Sequence, residues 1–548
     1  MIFRKRKKLK IIFFSAFLII SVALLFLPHI TGEYVIINKK TKVFTDPLKR
    51  EELGKILGAK GDFEFIDNEN VADILLTRKE LKQLNTIDSA QEFYIPVESF
   101  LNQVENVDST KIKKIFKKEI TNWKELGGED LEIKILVLDV PEIKLVFNEF
   151  FGIEKLDFEK TTDLEDLISK VSKDKGFISI LPLEKVNSKV NSLSIDNISP
   201  IKSKDFSSYP LKISYFLQSK KKNSEEQSIV YAIKEYLSKY KEETVELIAV
   251  GDIMLSRHVG EKIREAKDNS LPFKKLFGLL SSADITFANL ESPFFNQGQS
   301  VKEGMVFKAE PETIEGLKLA GIDLISLANN HFGNQGRAGM VYTFNHLKNN
   351  NISYFGAGNN IEEAHTPTLL ESRGTRFAFL SYNEVSPESY KAGGDKAGLA
   401  WISENEEDLQ RMETDIKKAK ERADVTVLSF HWGVEYKVNP NSKQRNIAQR
   451  AVNAGADIIL AQHPHVVQGL DFIDDKFIAY SLGNFVFDQM WSEETKEGLV
   501  VRVYIKGSKV LDIDLIPIKI ENFNQPRLAN TQESGKILTR VYSASFSK

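Results

Sequence analysis

Four of the eight histidines in this 548-residue chain stand directly behind short apolar runs. Leu324–Ala328 runs into Asn329, Asn330 and His331, and Val425–Phe430 into His431, Trp432 and Gly433. Ile458–Ala461 runs into Gln462, His463, Pro464 and His465. Carboxylates and amides occupy equivalent places: Asp252 after Val245–Val250, Glu291 after Ile285–Ala288, and Asn484 after Phe477–Leu482. Carboxylate, amide and imidazole together suit a hard-to-borderline divalent cation, one or two ions of Mn, Zn, Fe or Mg. A lone histidine reads most simply as a hydrogen-bonded core residue. Convergence of these groups from separate strands is not something packing alone requires. In His463-Pro464-His465 an extended backbone would turn both rings the same way, toward one metal site.

Apolar runs of four to eight residues ending in polar clusters read as buried strands. Helical patterns lie between them, at about 256–280, 312–320, 339–349, 404–422 and 442–453. Alternation of this kind predicts an α/β fold, in which ligands gather at the carboxyl ends of parallel strands. Residues 33–240 show the same rhythm with more Lys, Glu, Asn and Ser. Apolar runs such as Ala72–Leu76, Ile133–Leu138 and Gly176–Leu181 alternate there with helical stretches such as Asp108–Phe116 and Thr161–Ser172. The pattern divides the chain into 33–240, 245–525 and a tail, 526–548, that carries a helix near Gly535–Ser543.

Composition narrows the class. Hydrophobic residues are 42% and charged residues 28%, a globular mixture that excludes a mostly disordered chain and a polytopic membrane protein. The net charge of −3 gives no basic field for nucleic acid. With no cysteine there is no disulfide, no thiolate zinc site, no thiol nucleophile and no lipoprotein anchor. Residues 1–10 hold a basic cluster including Arg4, Lys5, Arg6, Lys7, Lys8 and Lys10, followed by an uncharged run from Ile11 to Pro28. At about 1.5 Å per residue, that run is just long enough to cross a hydrocarbon core about 30 Å thick. It predicts a single-pass signal anchor in a cell membrane, with the basic flank cytoplasmic and the rest outside. A cleaved signal peptide is the competing expectation, although His29-Ile30-Thr31-Gly32 is a poor cleavage site.

The ordered set Gly251-Asp252, Asn289-Leu290-Glu291, Asn329-Asn330-His331, His431-Trp432-Gly433, His463-Pro464-His465 and Ser481-Leu482-Gly483-Asn484-Phe485 resembles the CapA family of capsule, or poly-γ-glutamate, biosynthesis proteins. The resemblance spans about 245–525 and implies a metallophosphoesterase-like α/β sandwich. By motif it implies that Asp252 and His465 bind a first metal, Asn330, His431 and His463 a second, and that Glu291 bridges them. His331 would be the catalytic residue, a general acid or phosphate contact. Lys308 and Asn484 are further candidates for substrate contact. The pattern also departs from that family's relatives, the metallophosphoesterases: Met254 stands where they carry the histidine of Asp-x-His. His258 lies close enough to be considered as its substitute. A fainter resemblance, on Tyr94–Val97, Asn106–Phe116, Glu119–Gly128 and Gly176–Leu183, links 33–240 to two-lobed periplasmic phosphate-binding-type proteins.

Together these features predict an outward-facing, membrane-anchored protein of capsule or poly-γ-glutamate synthesis or export. It would be a metal-dependent hydrolase or transferase acting on a phosphoester or a polyanionic polymer, beside a membrane polymer synthase complex. The alternative is a non-catalytic, metal-stabilised scaffold of that complex. A third expectation makes 33–240 an anion sensor for the C-terminal region.

Overall fold

A computed structural model describes residues 40–58, 63–102, 104–220 and 227–545. The basic segment 1–10 and the anchor expected at 11–28 lie outside the described residues. Among the described residues, no helix is long and apolar enough to cross a membrane.

The chain is α/β throughout. The N-terminal region holds a mixed sheet in the order Phe63–Phe65, Thr41–Thr45, Ile74–Thr77, Lys212–Ser219, Asn85–Ser99, Phe177–Pro182, Lys134–Leu138, Glu159–Thr161. The long strand Asn85–Ser99 joins its two halves. Residues 85–93 pair with Lys212–Ser219, and residues 94–98 pair with Phe177–Pro182. Helices such as Ser109–Phe116 and Leu164–Lys173 start on side-chain caps, Asp108 and Asp163, that accept from backbone N–H groups of the first turn. Each then buries one apolar stripe, Ile112, Ile115 and Phe116 in the first and Leu167, Ile168 and Val171 in the second.

Two sheets stack face to face in the C-terminal region. The first runs Ser353–Phe355, Leu324–Ser326, Ile285–Leu290, Val245–Ile253, Glu497–Lys506, Lys509–Glu521, Gln525–Leu528, with Asn484–Val486 also paired to Val245–Ile253. The second runs Thr368–Ser372, Thr375–Asn383, Val425–His431, Ile458–Leu460, Lys476–Ala479, Leu470–Ile473. Strand periodicity sorts the side chains. Val245, Leu247 and Ala249 face the second sheet, in a core shared with Phe379, Val427 and Leu460. Ile248 and Val250 face the other way, onto Val259, Ile263 and Leu347 of covering helices. On the far side, Leu428 and Ile459 pack on Leu409, Met412 and Ile447 of helices Glu406–Lys420 and Ser442–Ala454. The result is a helix–sheet–sheet–helix sandwich.

Two expectations change in detail. The helical stretch expected at 256–280 breaks into Arg257–Ala266 and Phe277–Leu280. Lys267 takes a left-handed backbone that ends the first helix, and Pro272 sits in a separate 3₁₀ turn beyond it. The tail helix is longer than its apolar pattern suggested, Thr531–Ala544, because Asn530 and Glu533 cap its start reciprocally. It packs back through Ile537 and Val541 onto the core between the two sheets.

Candidate metal centre

The carboxyl ends of parallel strands from both sheets meet at one buried polar centre. Asp252 is placed by a bulge. The pairing of Val245–Ile253 with Ile285–Leu290 shifts register between Ala249 and Asp252, and Asp252 then aligns with both Asn289 and Asn484. Gly251 makes this possible, since a β-carbon there would lie 1.9 Å from the Gly483 carbonyl oxygen. Glu291 follows the end of its strand and donates its N–H to Ile253 O at 2.8 Å. His431 ends Val425–His431, in register with Asn383 of the neighbouring strand.

Asp252, Glu291 and His431 offer ligand atoms that all lie within 4.8 Å of one another, and all three are fully buried. His431 Nε2 has three acceptors around it: Asn330 Oδ1 at 3.0 Å, His463 Nδ1 at 3.2 Å and Glu291 Oε1 at 3.4 Å. One ring N–H cannot serve three acceptors. On the other side of Asp252, its Oδ2 lies 3.5 Å from His465 Nδ1 and 3.4 Å from the His463 backbone nitrogen. The closest set is therefore Asp252, Glu291 and His431, with His465 beside Asp252 and with His463 and Asn330 beside His431.

Glu291 is the anomaly. Both its carboxylate oxygens are enclosed and neither makes a hydrogen bond. Burial, followed by the charge of Asp252, pushes its acid well above the usual carboxylate range. Burial raises Asp252 as well, against the pull of the Asn289 amide. Two adjoining buried carboxyls are costly without a compensating cation. The imidazoles are complementary. Burial holds His463 and His465 down to about 3 and His431 well below its usual range, so all three are neutral near pH 7. Neutral imidazole and ionisable carboxylate are the forms that bind a divalent metal, so the residues fit one.

Second-layer amides hold the ligands still. Asn289 Nδ2 donates to Asp252 Oδ1 at 2.7 Å, and Asn329 Nδ2 donates to Asn289 Oδ1 at 3.1 Å. Sequence reasoning quoted both within motifs but gave neither a role. Asn484 is fully buried. Its Oδ1 lies 2.9 Å from His465 Nδ1 and its amide donates to Gln489 Oε1 and Thr495 O. It orients a histidine, and this corrects the expectation of substrate contact, because its hydrogen-bonding groups are committed inside the protein. Lys308 is corrected in the same way. Its side chain is buried, and Nζ donates to the carbonyls of Gln297 and Gly298, both at 3.1 Å.

His331 lies flat on Phe307, ring centroids 3.9 Å apart, with Nδ1 3.0 Å from Asn334 Oδ1. The Phe307 N–H also donates to that oxygen, at 2.7 Å, which fixes Asn334 Oδ1 as an acceptor and His331 Nδ1 as a donor. Burial brings His331 down to about 4 although Asn334 favours the protonated ring. Met254 is buried in the apolar core beneath the polar centre, and no histidine replaces it among the described residues. His258 is half exposed and turned to Asp488, Nδ1 to Oδ2 3.2 Å. The His463-Pro464-His465 segment is not extended. Both histidines have left-handed backbones, φ 100° and 57°, and the rings diverge to different partners, one to His431 and one to Asp252. The Pro464 carbonyl accepts from Tyr436 N–H at 2.8 Å and pins that conformation.

Carboxylate, amide and imidazole converging from two stacked sheets define a class of α/β sandwich protein with a buried polar centre. Residues 246–489 match the family model of the bacterial capsule synthesis protein PGA_cap, a span that holds every one of these groups. The chain is 30% identical over 304 residues to the capsule biosynthesis protein CapA of Bacillus anthracis, covering 55% of this chain and 73% of that one. It is 32% identical over 285 residues to the PGA biosynthesis protein CapA of Bacillus subtilis (strain 168), covering 51% and 73%. This chain belongs to that capsule synthesis family, CapA. Among solved structures it is similar to an ABC-type phosphate transport receptor from Vibrio cholerae, 18% identical with a TM-score of 0.28, over 37% of this chain and 94% of that one. It is also similar to PstS from Borrelia burgdorferi, 14% identical with a TM-score of 0.28, over 36% and 92%. Scores this low say nothing of ligand or activity.

Proposed function

We propose that this chain is a metal-dependent hydrolase or transferase of capsule or poly-γ-glutamate synthesis, anchored in the membrane by 11–28 and facing outward. The observation that carries the reading is Glu291, a fully buried carboxyl whose oxygens make no hydrogen bond of good geometry, its nearest polar neighbour being His431 Nε2 at 3.4 Å, in a cluster with Asp252. Asp252 and His465 would hold one ion, and His431, His463 and Asn330 a second, with Glu291 between them, in a metallophosphoesterase-like arrangement. Bound there, the metal supplies Lewis acidity and a water activated at neutral pH. The protein's own groups do the rest. Asn289 and Asn484 fix the orientation of Asp252 and His465. His331, neutral when the site is free, would gain basicity as a substrate oxyanion approaches and would move the proton. The polymer named in its relatives and the phosphoester chemistry of the fold class give the substrate classes, a polyanionic polymer or a phosphoester. The anchor rests on the basic flank and apolar run at the N-terminus.

A second reading, a metal-bearing scaffold without turnover beside a membrane synthase, draws support from Met254 filling a ligand position with core packing. One experiment separates the two: the full chain is recovered from alkali-washed membranes, loaded with Mn and assayed on phosphoesters and γ-linked glutamate oligomers. The enzyme reading expects turnover that His331→Ala lowers by about 100-fold or more, the usual weight of a proton-transfer group, with metal content unchanged. Equal turnover by His331→Ala removes the catalytic assignment, no turnover with metal bound favours the scaffold, and loss of the chain in the alkaline wash removes the anchor.

A further inference from the structure

Arg257 stands apart from every group described so far. It opens helix Arg257–Ala266 with a left-handed backbone, φ 48°, an arrangement unfavourable for a side chain this large. Three other non-glycine residues with left-handed backbones lie at the polar centre: Tyr436, His463 and His465. Strain of this kind persists where the surroundings over-determine it, and it gathers at binding sites. The guanidinium is fixed on two aromatic rings, 4.6 Å from the centroid of Phe307 and 5.8 Å from that of Phe487. Phe307 is the ring on which His331 stacks, and Phe487 lies 4.8 Å from His465. Two rings thus link one cation to His331 on one side and to His465 on the other.

The hydrogen bonds of Arg257 are incomplete. Nη1 donates to Gly304 O at 3.0 Å and Nη2 to Asp488 Oδ1, whereas the buried Nε has no acceptor. A guanidinium locked in plane, with a donor left over beside a metal centre, matches a planar or tetrahedral oxyanion. We propose that Arg257 receives an oxyanion of the substrate, a phosphate or a carboxylate, next to the metal centre. The site rests on the metal-centred reading above and gives it a substrate-orienting residue.

The test uses the Mn-loaded full chain, with metal content measured on each sample. Inorganic phosphate and a γ-linked glutamate trimer are titrated separately by calorimetry into wild type, Arg257→Gln and Arg257→Lys. Arg257→Gln should lose about 10- to 100-fold in affinity, the worth of one charge-assisted hydrogen bond, at unchanged metal content. Arg257→Lys, which keeps the charge but not the fork, should lose several-fold, and it carries the test if the glutamine variant does not fold. Binding of phosphate alone identifies a phosphoester as the source of the oxyanion, and binding of the trimer alone identifies the polymer carboxylate. Equal affinities across the three proteins, or no anion binding by metal-loaded wild type, overturn the proposal. Failure of wild type to take up metal sinks the metal-centred reading instead. Arg257 is then judged by the same comparison on metal-free protein.

Discussion

Glu291 is the residue on which the chemistry of this molecule turns. An enclosed carboxylate without a hydrogen bond costs the metal-free fold roughly 1–3 kcal/mol, the penalty of an unsatisfied buried polar group. Burial holds the metal-free Glu291 as the neutral acid, and Glu291→Gln keeps that shape while removing the cost of resisting ionisation that the unfolded chain does not share. We expect the metal-free variant to melt higher than the metal-free wild type, and added Mn to stabilise only the wild type. Differential scanning with and without Mn and EDTA reads both halves. Equal responses to Mn would mean that Glu291 is not a ligand. The histidines were legible in the sequence because each follows an apolar run. Arg257 was not, because a charged residue at a helix start looks like ordinary surface until Phe307 and Phe487 are seen beneath it. Lys308 misled for the converse reason, since nothing in sequence announces that a lysine turns inward to loop carbonyls.

Strand ends, more than any single side chain, build the polar centre. The crowding of Gly251 against Gly483 is the tightest constraint, and Gly251→Ala should cost about 1–3 kcal/mol as an overpacked position. It should also move Asp252 and so lower metal content. Loss of metal without loss of stability, or the reverse, would separate the two effects, and neither loss would deny the bulge its role. Buried parallel strands announce themselves as continuous apolar runs, so most elements of the sandwich were legible. The left-handed turns around Pro464 were not, since periodicity reports extended or helical backbone and is silent on φ. The strand Asn85–Ser99 escaped for another reason: it changes partners midway, and its first half, which pairs with Lys212–Ser219, is polar and partly exposed.

At the scale of the molecule, the N-terminal region and the sandwich are joined by buried charge. Lys202 Nζ lies 2.7 Å from Asp514 Oδ1 and 3.2 Å from Asp512 Oδ2, and Ser192 N–H donates to Asp512 Oδ2 at 3.1 Å. Burial opposes the charge on Lys202, yet the two aspartates hold its ammonium above its usual range. Glu98 sits in the same seam, fully buried, and neither of its oxygens has a partner of hydrogen-bond geometry. Burial raises its acid well above 4.5, against the pull of Lys202 and Asn191. The sign follows. Below about 4.5 both folded and unfolded chains carry the proton, and nothing is lost. As pH climbs past that value the unfolded chain ionises while the folded one resists, so stability drains until the folded value is reached. Glu98→Gln should therefore raise the melting temperature at pH 7 and change it little at pH 4. An equal shift at both would show that Glu98 is not held protonated.

The most direct test of the central claim is the metal content of the purified full chain by elemental analysis. The account predicts one or two equivalents of Mn, Zn, Fe or Mg in wild type, and a lower value in Glu291→Gln. A wild-type chain that holds no metal after supplementation would contradict it.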